Sequence, residues 1–230
     1  ARILSGIKSF FHFLTVADYL ETDPSELLEG PKIGFKIPEV LTVEEIDRII
    51  SAVDMDKKEG QRNRAILETL YSCGLRVSEL CNLKLSDLYF EEGFIKVEGK
   101  GSKQRLVPIS PRAIKEIKYW LTDRNLGKIK KGYEDYVFLA RWGNNISRIM
   151  VFHMIKELAE KTGITKNISP HTFRHSFATH LLEGGANLRA IQCMLGHESI
   201  ATTEIYTHID RNMLRSEIIE HHPRNIKYRK

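Results

Sequence analysis

Apolar positions along the chain change period several times, and each change marks an element. Ile3, Leu4, Ile7, Phe10, Phe11 and Leu14 recur at three- and four-residue steps, the stripe of an amphipathic helix. The polar stretch ETDPSELLEGPKIGFKIPEV at 21–40, broken by proline and glycine, then reads as a linker. Thr42-Val-Glu-Glu45 has the form of a capping box, in which a hydroxyl and a carboxylate satisfy the free amides of a helix start. The helical segments LTVEEIDRIISAV and QRNRAILETLYSCG follow, the second stopped at Gly74. FIKVEGKGSKQRLVPIS at 94–110 switches to β-rich runs around a glycine-bearing turn, a hairpin signal. Helical periods return in RAIKEIKYWL and ISRIMVFHMIKELAEKTG. Ser169-Pro170 reads as a helix start, with serine as cap and proline in the first turn. LRAIQCMLG ends at Gly196, a left-handed helix stop, and IATTEIYTHI and RNMLRSEIIEHH read as two further short helices. The predicted class is mainly α with one small antiparallel β-sheet, and a compact domain opens near residue 38.

Composition narrows the picture only a little. Apolar residues at 42% and charged residues at 28% suit a folded globular chain and argue against disorder. No apolar run approaches the length of a membrane span and no secretory signal opens the chain, so no membrane partner is expected. The first residue is Ala1 instead of Met, so the chain is read as part of a longer protein. Cys73, Cys81 and Cys193 are too few and too scattered for a disulfide framework; they read as small buried apolar residues in a reducing cytoplasm. The charge of +5 is mildly basic, with clusters at KIKK (128–131) and in the last ten residues, HHPRNIKYRK. That suggests nucleic acid without showing it, since a solvated basic face gives the same pattern.

The chemistry concentrates in SPHTFRHSFATH at 169–180. With Ser169 as cap, His171 and Arg174 fall three apart in the first turn, on one face. A helix N-terminus attracts anions through its free amides and dipole, which favours phosphate over a metal cation. His171 and His175 have the spacing of a zinc-binding H-E-x-x-H pair, but Thr172 stands where that motif needs glutamate. An anion site is therefore preferred to a metal site, with core histidines as a third option; His175 and His180 read as structural. In GLRVSEL (74–80), Glu79 lies one helical turn after Arg76, within reach of its guanidinium, although a surface ion pair of little worth would look the same. Lys100 sits on the hairpin turn, His197 follows the stop at Gly196, and Tyr206 lies nine residues later.

In this order, R…K…H-x-x-R…H…Y resembles the tyrosine recombinase (integrase) family, and within it the Xer branch. GLRVSEL, GKGSKQRLVP, SPHTFRHSFATHLLEGGANLRAIQCMLGH and the YTH at 206–208 carry the likeness, with spacings of 24 from Arg76 to Lys100, 23 from Arg174 to His197 and 9 from His197 to Tyr206. The resemblance implies the DNA breaking–rejoining catalytic fold over residues 37–230. Residues 1–36 would be the end of a helical core-binding domain plus linker, and a tail helix at about 212–230 would dock on a neighbouring protomer. It further implies that Tyr206 attacks the scissile phosphate and forms a 3′-phosphotyrosine. Arg76, Arg174 and His197 would bind the non-bridging oxygens and Lys100 would protonate the leaving 5′ oxygen. His171 would accept the tyrosine proton or support the phosphate, and Glu79 would orient Arg76. No metal, ATP or other cofactor is required. The implied partners are a duplex DNA recombination site and other protomers in a tetrameric synapse, with an activating DNA translocase left open. The role implied first is chromosome dimer resolution in the cytoplasm. Against it stand a mobile-element integrase or invertase of the same chemistry, a type IB topoisomerase-like enzyme, a non-catalytic DNA-binding protein, and, more remotely, a zinc hydrolase.

Overall fold

A computed structural model of the chain describes residues 2–29, 39–196 and 211–226, which fall into two compact units, 1–37 and 38–230. In the first unit, helix α1 (Arg2–Val16) carries the apolar stripe of the N-terminus. Beyond it the Asp23 carboxylate accepts from the backbone N–H and hydroxyl of Ser25, 2.8 and 2.6 Å away, closing a turn.

The second unit opens on α2 (Val43–Ser51), whose capping box forms as the sequence predicts: Thr42 Oγ1 accepts from the Glu45 N–H at 3.2 Å and Glu45 Oε2 from the Thr42 N–H at 2.7 Å. Helix α3 (Gly60–Cys73) follows and ends at Gly74 in the left-handed region. It is buried on every face, because α2, α5 (Pro111–Leu126) and α7 (Pro170–Glu183) all pack against it. Ile66, Leu67, Leu70 and Tyr71 are fully inside, and so are the polar Glu68, Thr69 and Ser72. Such groups are tolerated only when partnered. Thr69 donates to the Ala65 carbonyl at 2.7 Å, and Ser72 Oγ accepts from the Ser110 N–H at 2.8 Å.

The hairpin consists of β2 (Phe94–Glu98) and β3 (Gln104–Pro108), paired from Phe94↔Pro108 to Glu98↔Gln104, with the short β1 (Leu88–Tyr89) added antiparallel to β2. Helix α6 (Arg148–Lys161) starts at its Ser147 cap. Asn187 caps α8 (Leu188–Leu195), which stops at Gly196 with φ 66°. All three cysteines are buried, as their composition suggested, and burial raises their thiol pKa values, to about 12 for Cys73 and about 11 for Cys81.

Helix α9 (Arg211–His221) packs on α7, α8 and β3 of its own domain and is followed by α10 (Pro223–Ile226). The reason is burial: Leu214 and Ile218 enter the main core, each adding about 2 kcal/mol of apolar stabilisation. The C-terminal segment departs from one expectation, which concerns charge. HHPRNIKYRK reads as a solvated basic run, yet His222 and Arg224 are among the most enclosed side chains of the domain. Arg224 Nε donates to Glu68 Oε2 at 3.0 Å, its Nη1 contacts Asp47, and its guanidinium lies over the Tyr71 ring at 4.9 Å. Arg112 holds the other Glu68 oxygen at 2.7 Å. The tail is thus pinned by the carboxylate that α3 carries into the core.

His222 is locked as one neutral tautomer. Its Nδ1 accepts the Arg224 N–H at 3.1 Å, which leaves the proton on Nε2 to be donated to the Tyr71 carbonyl at 3.2 Å. Burial, seconded by the Arg224 charge, brings its pKa down to about 3.

Two outcomes follow from this tail. Between the exposed-histidine value near 6.5 and about 3, the unfolded chain binds the proton that the fold refuses. Stability is therefore lost as the pH is lowered through that window, by up to ~1.4 kcal/mol per unit for this group. Chemical denaturation at stepped pH should show His222→Gln with a shallower slope; an unchanged slope contradicts the assignment. Arg224→Ala leaves the buried Glu68 with Arg112 alone and should cost about 3 kcal/mol, whereas a loss under about 1 kcal/mol would mean that Arg224 holds nothing.

Candidate functional site: a cluster of arginines

Three helix ends and one strand meet at the site. Gly74 ends α3, Arg76 precedes α4 (Val77–Cys81), Arg174 projects from the second turn of α7, and Gly196 ends α8. Gly74 has to be glycine on two counts: its φ is +58°, and a Cβ there would lie 2.3 Å from the Phe177 ring of α7. That close approach brings α7 against the end of α3, and Arg174 Nη1 donates to the Gly74 carbonyl at 2.7 Å.

Arg76 and Glu79 form the pair that their spacing predicts, but not a surface one. Arg76 Nη1 donates to Glu79 Oε1 at 2.9 Å, and the Arg76 backbone N–H donates to Glu79 Oε2 at 2.9 Å. The Glu79 side chain is 2% exposed and that of Arg76 37%, so the acid is internal and the guanidinium faces the solvent. Burial pushes the Glu79 carboxyl up, yet hydrogen bonds and charge from Arg105 and Arg76 outweigh it and leave it below the ordinary carboxylate range.

Arg105 is the site residue that the sequence did not single out. It lies on β3, almost wholly buried, with Nη1 and Nη2 each 2.8 Å from one oxygen of Glu79. Its Nε donates to the Met194 carbonyl at 2.8 Å. The available signal was its phase: in QRLVP, Arg105 shares a strand face with the core residue Val107.

The end of α8 gathers the three cations. Arg105 takes the carbonyl of Met194, Arg174 Nη2 that of Leu195 at 2.6 Å, and Arg76 Nη2 that of Gly196 at 3.1 Å. Carbonyls at a helix C-terminus carry partial negative charge, which suits guanidiniums. Three guanidiniums against one carboxylate still leave two positive charges in excess. The strain registers on Arg174: burial first, then the charge of Arg76, brings its pKa down to about 10. An anion placed here would relieve that repulsion.

His171 and His175 are both exposed on α7 and, with Arg174, line a groove of about 510 Å³. His175 is therefore no core residue, contrary to its expected structural role; position 175 simply faces outward on the helix. His180 is structural as read: it is buried, and its Nδ1 lies 2.9 Å from the Tyr71 hydroxyl. Lys100 begins the tight turn Lys100–Ser102 at the hairpin tip, its side chain not being among the described atoms. His197 and Tyr206 lie outside the described residues, as does the expected helix IATTEIYTHI. His197 directly follows Gly196, whose carbonyl Arg76 holds. Among the described residues no three His, Cys, Asp or Glu side chains cluster as metal ligands would.

Comparison with known proteins accounts for this assembly. The model of the phage integrase family matches residues 39–213. Tyrosine recombinase XerD of Staphylococcus saprophyticus is 43% identical over 97% of this chain and 76% of that protein, and XerD of Staphylococcus aureus is 42% identical over the same shares. Among solved structures, the XerA recombinase superposes with a TM-score of 0.64 at 34% identity, over 94% of this chain and 74% of that one. The matched span contains every residue of the arginine cluster, along with Lys100, His171, His197 and Tyr206, and the chain belongs to the phage integrase family of tyrosine recombinases.

Proposed function

We propose that this chain is a site-specific recombinase that breaks and rejoins duplex DNA through a 3′-phosphotyrosine at Tyr206. The observation that carries this reading is the excess positive charge around Glu79, where Arg76 faces solvent and Arg174 adjoins it. A phosphodiester brings one negative charge to a pocket with two positive charges in excess, and planar guanidinium forks match its non-bridging oxygens. As the phosphorane forms, negative charge grows on those oxygens, so donors fixed in advance stabilise the transition state more than the ground state. Glu79 and the α8 carbonyls fix them.

Tyr206 supplies the nucleophile. Its phenol has to lose a proton, which His171, exposed on α7, would accept unless it instead supports the phosphate electrostatically. The hairpin turn would bring the Lys100 ammonium to the leaving 5′ oxygen as general acid. His197, following the helix stop that Arg76 grips, would add a donor to the phosphate. The phosphotyrosine conserves the energy of the cleaved bond, so ligation by the freed 5′ hydroxyl needs neither ATP nor a metal.

A related recombinase, XerH, has been solved bound to its difH substrate in a pre-cleavage complex; it is 29% identical, with a TM-score of 0.65 over 86% of this chain and 58% of that one. By that likeness the substrate is a duplex recombination site, and by the likeness to XerD the role is Xer-type dimer resolution in the cytoplasm. No described helix is long and apolar enough to cross a membrane. Residues 1–36 would belong to a DNA-clamping helical domain. The tail at 212–230, whose described part up to residue 226 packs on its own domain, would exchange the same contacts between protomers in a four-subunit synapse.

A suicide duplex nicked beside the scissile phosphate should trap a covalent adduct that Tyr206→Phe abolishes; an adduct persisting in that variant contradicts the assignment. Arg174→Ala should slow adduct formation by about 10²- to 10³-fold with DNA affinity little changed. A parallel loss of affinity would mean that Arg174 merely binds. Adduct formation should proceed at the same rate in excess chelator, and a loss restored by added divalent metal would overturn the metal-free mechanism.

A further inference from the structure

Arg105 cannot touch DNA, yet it reaches more of the site than any other side chain described. Its guanidinium is sealed inside the domain. Both terminal nitrogens are committed to Glu79, and Nε is committed to the end of α8. It also packs flat on Gly196, where a Cβ would stand 3.2 Å from its Cδ, Nε and Cζ. Five residues before it along the hairpin lies Lys100.

We infer that Arg105 is a positioning residue for strand cleavage, holding the Glu79 carboxylate so that Arg76 presents its guanidinium to the scissile phosphate. This rests on the recombinase reading above. The geometry makes the argument. Glu79 receives four hydrogen bonds, two from Arg76 and two from Arg105. Arg76 is about a third exposed, and among the described residues Glu79 and the Gly196 carbonyl fix its direction. Both of those anchors are themselves set by Arg105: the carboxylate through a two-pronged bond, the α8 end through the Met194 carbonyl and the contact on Gly196. A lysine at 105 keeps the charge but offers a point donor in place of the fork. Glu79 can then rotate, and Arg76 with it.

The test is single-turnover adduct formation by the full-length protein and its Arg105→Lys variant on two suicide duplexes. One carries the natural scissile phosphate, the other a methylphosphonate, which has no charge on its non-bridging positions. Displacements of about 1 Å in a positioning group cost up to about 100-fold in rate, so the variant should be about 30-fold slower on phosphate. On methylphosphonate, which is neutral in the ground state and reaches a phosphorane with one negative charge fewer for Arg76 to stabilise, the deficit should shrink to about 3-fold or less. DNA affinity and thermal midpoint, measured alongside, report whether the variant is folded. Arg105→Gln, which keeps a hydrogen-bond donor but no charge, should behave as Arg105→Lys does. An equal deficit on both substrates, or wild-type rates on phosphate from a folded variant, overturns the assignment and leaves Arg105 a fold-stabilising residue. Wild-type protein that forms no adduct on either substrate instead sinks the recombinase reading itself.

Discussion

Like charges repel, and the architecture of this domain turns on holding three of them together. Arg76, Arg105 and Arg174 arrive from a loop, a strand and a helix, and converge on a single carboxylate and three successive carbonyls. The carboxylate is Glu79 and the carbonyls are the last ones of α8. Neither device alone would suffice: one acid leaves two charges unbalanced, and helix-end carbonyls offer only partial charge. Together they keep the guanidiniums in place while leaving the cluster positive. Folding is thereby made compatible with a site that still lacks an anion.

The rest of the domain supports that compromise. Helix α3, buried from Ala65 to Cys73, gives a rigid post whose end, Gly74, offers a carbonyl to Arg174 and room for Phe177. The hairpin delivers Arg105 from one side and carries Lys100 on its tip. A second buried acid, Glu68, repeats the principle deeper in the same helix: it is shared between Arg112 and Arg224 and ties the C-terminal tail to the core. The two clusters differ in what they leave over. In the Glu68 group the acid and Arg224 are both buried and Asp47 adds a second carboxylate, whereas in the Glu79 group the excess charge reaches solvent through Arg76.

Much of this was legible in the chain because its local signals are strong and mutually consistent. The caps at Thr42 and Ser169, the stops at Gly74 and Gly196 and the hairpin around Gly101 are short-range codes, and all form where their residues predict. Arg76 and Glu79 pair because the cap residue and the third residue of a helix meet at its start. What stayed hidden depends on long-range contact. Burial of α3 on all sides erases the amphipathic pattern that would have announced its partners. His175 looks like its neighbours in a histidine-rich run, and only the packing of α7 turns it outward. Arg105 and Arg224 read as ordinary surface cations because their acids lie 26 and 156 residues away in the chain.

The account's central claim is that the arginine cluster holds a phosphoryl group for attack by a phenol. The most direct test is to trap the protein on a nicked suicide duplex, digest the adduct and locate the nucleotide by mass spectrometry. The account predicts a nucleotide 3′-phosphate on the peptide containing Tyr206 and a free 5′ hydroxyl on the released strand. A nucleotide on His171 or any other residue, or a released strand ending in 5′ phosphate, would contradict it.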